Sequence, residues 1–271
     1  MDDLSVTLIQ TELYWEDIEA NLKAFDATID GIPEPTDVIV LPEMFTTGFS
    51  MDAPRFAQEM TGSAVSWIKE ASRKKSADVM GSVIIRENGN YFNRVLWAKP
   101  DGSLFTYDKK HLFRMIGEHK VFTPGEKHLT VAVKDWKLRP FICYDMRFPI
   151  WTRNIDNAYD VAVFIANWPE KRAPHWKLLM PARAVENQCY VIGVNRVGKD
   201  GKGFPHSGDS AVIDPMGNIV FQKAHESFVR TFRLTYDRIT FYREKFAAWM
   251  DADGDAVSFF NTKRNRSEKA G

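Results

Sequence analysis

The sequence predicts a single α/β domain of the α+β type, in which two mixed sheets pack together with helices on their outer faces. Three observations predict it. Strand and helix signals alternate along most of the 271 residues. Several strand-to-strand steps have no helix between them, which argues against a simple doubly wound sheet. No linker rich in Gly, Ser or Pro divides the chain, and it has no internal repeat. Residues 1–271 therefore read as one domain. Residues 236–271 form a C-terminal extension whose end, Lys263 to Gly271, is polar and expected to fray.

Leu4 to Ile9 reads as a strand, and Ile18, Leu22, Phe25 and Ile29 then recur at helical spacing. Val38 to Leu41 is a short apolar run with β-branched residues, as expected of a central strand. Val65, Ile68 and Ala71 predict a second helix, and Val79 to Ile85 a strand. Tyr91 to Ala98 and Leu104 to Tyr107 flank the turn Pro100-Asp101-Gly102-Ser103. Leu138 to Ile142 and Val161 to Ile165 are core strands, with a helix predicted between them over about Phe148 to Asn157. Pro174 to Gln188 is a helix with proline in its first turn. Pro181 falls inside it and should kink it or shift its boundary. Cys189 to Asn195, Ser210 to Ile213, Ile219 to Phe221 and Phe228 to Leu234 complete the strands, with a hairpin turn at Asp214 to Asn218.

Composition narrows the class. Hydrophobic residues make up 44% and charged residues 27%, as in ordinary globular proteins, and 19 Phe and 8 Trp supply a large core. Net charge is zero, so neither nucleic acid nor an anionic membrane is indicated as a partner. No uncharged apolar stretch reaches membrane-spanning length, and the acidic Met1-Asp2-Asp3 lacks the basic and apolar regions of a signal peptide. With only Cys143 and Cys189, a disulfide framework is not expected, and a cytoplasmic location is. Asp251 to Asp255 starts like a calcium loop, but Ala256 and Thr262 occupy its required Gly and Glu positions. The His and Cys spacings fit no zinc site.

The chemistry lies at three strand ends. Glu43, Lys109 and Cys143 each stand just past an apolar run. A thiol attacks as thiolate and needs a base or a positive environment. In a dry pocket Glu43 can accept the thiol proton and later release it to a leaving group. The Lys109 ammonium can hold charge developing on a carbonyl oxygen, with the Tyr144 N–H as a second donor. Each residue also has an ordinary reading: Cys143 as inert core, Glu43 as a loop carboxylate, and Lys109 with Lys110 and His111 as a polar turn. A papain-like pair with His111 or His175 is the other catalytic option, but it leaves Glu43 and Lys109 without a role.

The flanking residues decide among these. Leu41-Pro42-Glu43-Met44-Phe45, Tyr107 to Phe113 and Cys143-Tyr144-Asp145-Met146-Arg147-Phe148-Pro149 resemble the three signature segments of the nitrilase superfamily of carbon–nitrogen hydrolases. They stand in the same order, 66 positions from Glu43 to Lys109 and 34 from Lys109 to Cys143. Trp168-Pro169-Glu170, Asp200 to Gly203, and Phe241 to Phe246 with Asp251-Ala252-Asp253 resemble the omega-amidase branch. Pro181 and Ala247-Ala248 depart from its pattern and could alter a pocket wall or a subunit contact.

The resemblance implies a four-layer α-β-β-α sandwich that pairs into a homodimer or larger homo-oligomer. It implies Cys143 as nucleophile, Glu43 as base and acid, and Lys109 as stabiliser of the intermediate. Glu118, in the segment Gly117-Glu118-His119, would position Lys109, the substrate amide or the hydrolytic water. No metal or organic cofactor is implied. The implied substrate is a short 2-oxo dicarboxylic acid monoamide, 2-oxoglutaramate or 2-oxosuccinamate. A carboxylate of that kind calls for a cationic clamp, and Arg147 is the first candidate. A structural ion pair with Asp145 is its ordinary alternative. Phe45, Phe113, Tyr144 and Trp168 are expected as apolar walls, with Asn167 beside them in the substrate pocket. The rival readings are another amide, a nitrile or a carbamoyl amine as substrate, and a catalytically silent binding domain.

Overall fold

The computed structural model describes residues 2–253. The strands are β1 (Leu4–Gln10), β2 (Val38–Val40), β3 (Asp78–Glu87), β4 (Asn90–Ala98), β5 (Leu104–Asp108), β6 (Val131–Val133) and β7 (Trp136–Ile142). They continue with β8 (Val161–Ala166), β9 (Tyr190–Asn195), β10 (Val197–Lys199), β11 (Pro205–Ile213), β12 (Ile219–Ala224) and β13 (Phe228–Leu234). The helices are α1 (Ile18–Asp30), α2 (Ala53–Phe56), α3 (Ser63–Lys75), α4 (Glu118–Val121), α5 (Pro149–Thr152), α6 (Ala173–Asn187) and α7 (Tyr236–Lys245).

One sheet has the order β13-β1-β2-β3-β4-β5; the other runs β10-β11-β9-β8-β7-β6, with β12 also on β11. Both are mixed. Parallel pairs β1–β2–β3 and β7–β8–β9 form their centres, and antiparallel strands flank them. Alternation along β2 shows how the layers are built. Val38 and Val40 join the core that includes Phe141, Val163 and Ile165 of the second sheet, while Ile39 joins the core made with Phe25 and Ile29 of α1 and Ile68 of α3. On the far side, α6 packs on β9 and β11. It approaches so closely that a Cβ at Gly193 would stand 2.4 Å from the Met180 sulfur. The result is the expected four-layer sandwich.

Two local expectations need correction. The helix predicted over Phe148 to Asn157 is a 3₁₀ turn at Cys143–Arg147 followed by only α5. The Asn154 side chain donates to the Tyr159 and Asn187 carbonyls and accepts the Tyr159 N–H, while Asp156 and Asn157 take left-handed φ values of 53° and 50°. Asx side chains that satisfy their neighbours' backbone compete with helix, and here they end it. Conversely, α6 continues through Pro181 to Asn187, so the boundary does not shift there. Buried Met180 and Ala184 hold the helix against the sheet on either side.

The predicted fray over Lys263 to Gly271 lies outside the described residues. Within residues 236–253, α7 is fastened to the body. Ile239 is buried in the core, and Arg243 donates to Asp160 Oδ1 (2.8 Å) and to the carbonyls of Tyr159 and Gln188.

Candidate active site

Glu43, Lys109, Glu118 and Cys143 converge at one end of the paired sheets. Glu43 follows β2, Lys109 follows β5, Cys143 follows β7, and Glu118 opens α4. Lys109 Nζ donates to Glu43 Oε1 at 2.9 Å and to both Glu118 oxygens at 2.9 and 3.1 Å. Glu118 Oε2 also accepts the Phe113 N–H. The side chains of Lys109, Glu43 and Glu118 are fully buried. Burial disfavours the ammonium, but Glu118 and then Glu43 outweigh it and hold the Lys109 pKa above its ordinary value. Burial pushes Glu118 above the usual carboxylate range, opposed by Lys109 and reinforced by Glu43.

Glu43 is held from several sides. Oε1 also accepts Asn93 Nδ2 (2.8 Å), Oε2 accepts the Asn167 N–H (2.8 Å), and Asn167 Nδ2 donates to the Glu43 carbonyl. The turn around it is unusual. Met44 has φ 43°, and its N–H donates to Ser82 Oγ at 2.8 Å. Cys143 has φ 45°. A non-glycine residue held there stores on the order of 1–3 kcal/mol, a feature that clusters at functional sites. Burial raises the Cys143 thiol well above its ordinary pKa; Glu43 adds to this and Lys109 opposes it. A thiol held in this way needs a base to take its proton before the sulfur can attack.

Above the sulfur opens a cavity of about 300 Å³. Cys143, Tyr144, Arg147, Phe113, Asn167 and Trp168 all line it, so the structure brings these expected pocket residues together. Trp168 is fixed by Nε1 donating to the Arg172 carbonyl (2.7 Å) and by its N–H donating to Asn195 Oδ1 (2.8 Å). Arg147 lies 4.8 Å over the Trp168 ring, with Nη2 2.9 Å from His175 Nδ1, and forms no ion pair with Asp145. Phe45 is corrected: it is fully buried outside the cavity, its ring 5.5 Å from Phe25 and 5.5 Å from Trp67. The turn at Met44 aims it into the helix-side core.

Sequence reading missed several wall residues. Phe49 lies with its ring 4.8 Å from Lys109 Nζ, and Met115, Arg172, Phe204 and His206 are further lining residues. Arg172 lies 5.0 Å over Phe113. Lys171 and Lys202 join the two arginines around the cavity, against one acid, Asp200. Asn93 was recoverable. Strand β4 pairs with β5 in a register that sets Arg94 opposite Asp108, and the Lys109 N–H donates to the Asn93 carbonyl.

Two mixed sheets carrying a buried carboxylate, ammonium and thiol at one end define a hydrolase of carbon–nitrogen bonds. Residues 5–244 match the model of the family described as carbon-nitrogen hydrolase, and the chain belongs to that family. It is 44% identical over 256 residues to omega-amidase YafV of Escherichia coli, covering 93% of this chain and 98% of that protein. To the 2-oxoglutaramate amidase of Bacillus subtilis it is 33% identical over 226 residues, covering 82% and 87% of the two chains. Among solved structures, a CN-hydrolase superfamily protein of Xanthomonas campestris, with an arsenic adduct in its active site, superposes with a TM-score of 0.92. It is 39% identical, and the match covers 94% of this chain and 98% of that one.

Proposed function

We propose that the protein hydrolyses the terminal amide of a small carboxylic acid monoamide, of the 2-oxoglutaramate or 2-oxosuccinamate type, to the acid and ammonia. The observation that carries this reading is the strained Cys143 beneath a cavity lined by four cations and one acid. The amidase relatives support the same substrate class.

In the proposed reaction, Glu43 takes the Sγ proton and the sulfur attacks the amide carbon. Lys109 Nζ and the Tyr144 N–H, which lies in the first turn of a 3₁₀ helix, hold the oxyanion. Collapse of the tetrahedral intermediate breaks the C–N bond. Glu43 gives its proton to the nitrogen, and ammonia leaves a Cys143 thioester. Glu43 next takes a proton from water as the water attacks, and the acid leaves as the thiol is restored. Glu118 keeps Lys109 charged and in place through both of its oxygens. No step calls on a metal or an organic cofactor.

Arg147, with its guanidinium carbon 4.8 Å from the centre of the Trp168 ring and without an ion-pair partner among the described residues, is the proposed carboxylate clamp. Ammonia release from a panel of acid monoamides, neutral amides of equal length, nitriles and carbamoyl amines tests the assignment. Acid monoamides are expected to be preferred. Arg147→Met should lower kcat/KM for them by about 10- to 100-fold, the value of a hydrogen bond to a charged group. Its effect on neutral amides should stay under about threefold on the same basis. A preference for nitriles or carbamoyl amines in the wild type would move the protein to another branch of the family.

The same reading places the protein in the cytoplasm as a homodimer. No helix among the described residues is long and apolar enough to cross a membrane, and both cysteines are free. Exposed Leu178 and Val185 on α6 offer an apolar face for a second copy.

A further inference from the structure

Asp145 is fully buried, does not line the cavity, and has no role in the steps above. Its carboxylate nevertheless accepts from groups on both sides of the reactive centre. Oδ2 accepts the N–H of Ile142, the residue before Cys143, at 3.1 Å. The same oxygen accepts the Tyr107 O–H at 2.7 Å, two residues before Lys109. Oδ1 accepts the His111 N–H at 2.9 Å and lies 2.9 Å from His111 Nδ1, two residues after Lys109. No lysine or arginine pairs with this carboxylate among the described residues. It is satisfied instead by the Ile142 and His111 amides, the Tyr107 hydroxyl and the His111 ring.

The surroundings keep those donors in place. Trp151 Nε1 donates to the Tyr107 hydroxyl at 3.0 Å, and the His111 ring stacks on Phe148 with centroids 3.7 Å apart. Phe148 in turn donates its N–H to the Asp145 carbonyl at 3.0 Å. A left-handed φ at a residue bearing a side chain persists only where the surroundings over-determine it. At Cys143 the Asp145 carboxylate, grasping the preceding amide, is such a constraint.

We infer that Asp145 is a positioning residue. Through one carboxylate it fixes the backbone of the Cys143 turn against the strand end that carries Lys109, and so sets sulfur and ammonium in register. The inference deepens the proposed mechanism and rests on its assignment of Cys143 and Lys109.

Asp145→Asn tests it. Asparagine has the same shape, but its NH₂ group would face one pair of the present donors. Misplacement of a reacting group by about 1 Å costs on the order of 100-fold in rate, so kcat should fall by about that factor with KM within about twofold. Alkylation of Cys143 by iodoacetamide should slow in parallel. Asp160→Asn is the control. Asp160 is also buried, accepts the Lys137 N–H (3.0 Å) and Arg243 Nη1 (2.8 Å), and lies before β8, at the opposite end of the strands from Cys143. It should lose stability while keeping kcat and alkylation rate per folded molecule. Should Asp145→Asn fail to fold, Tyr107→Phe removes one donor to Asp145, and the acceptor of Trp151 Nε1 with it, and should slow alkylation several-fold. Wild-type alkylation and kcat per folded molecule in Asp145→Asn, or unchanged alkylation in Tyr107→Phe, would overturn the inference. The alkylation arm needs no substrate, so an error in the substrate assignment appears as an inactive wild type whose labelling still depends on Asp145.

Discussion

Cys143→Ala is expected to release no measurable ammonia from any amide that the wild type hydrolyses, a loss of about 10⁵-fold or more by comparison with other nucleophile deletions. The expectation comes from the division of labour at the site. Lys109 is bound by Glu43 and Glu118, and Glu43 is held by Asn93 and Asn167, so every other group is built to serve an attacking atom. Removing that atom leaves binding and oxyanion stabilisation without covalent chemistry. Stability should change little, because alanine removes one sulfur atom and leaves the buried Glu43, Lys109 and Glu118 charges paired with one another. Ammonia release and the denaturant midpoint, measured on the same preparation, check both halves.

Lys109→Met should lose activity and stability together. Methionine fills a similar volume but leaves two fully buried carboxylates facing each other, where the ammonium now lies 2.9 Å from each. Breaking a buried charge network by removing one partner typically costs about 3–5 kcal/mol. The lost oxyanion donor alone is worth about 2.7–4 kcal/mol, or roughly 100- to 1000-fold in kcat. The pH dependence has a definite sign. Burial already holds Glu118 above its unfolded value, and without Lys109 it rises further. A carboxyl with a raised folded pKa binds its proton more tightly when folded. The variant therefore regains stability as pH falls through that folded value toward the unfolded one. Urea titrations at several pH values test this; a stability deficit independent of pH would contradict it.

How much of this was legible depended on residue type and place. Glu43, Lys109 and Cys143 were readable because each ends an apolar run; β2 and β5 run the same way within one sheet, and β7 of the other sheet ends beside them. The two packed sheets were readable because several strand-to-strand steps lack a helix, whereas Val38-Ile39-Val40, apolar throughout, shows no alternation in sequence although it faces two cores. Turn geometry was not readable. Phe45 looked like a pocket wall, yet a left-handed Met44 directs it into the core. The helix over Phe148 to Asn157 looked regular until Asn154 took other partners. Strands β6 and β10 span three residues each, too few for periodicity to register. Arg172 reaches the cavity from a 3₁₀ turn, Phe204 from the loop before β11 and His206 from β11 itself, and Asp145 acts through groups of distant segments, so no local pattern marks them.

Acid quenching of the protein during turnover of an acid monoamide, followed by peptide mass analysis, bears most directly on the mechanism. The result expected is the acyl group of the substrate, without its amide nitrogen, attached to the peptide that contains Cys143. Product formation with the acyl group on another residue, or with none on the protein in the pre-steady state, would contradict it.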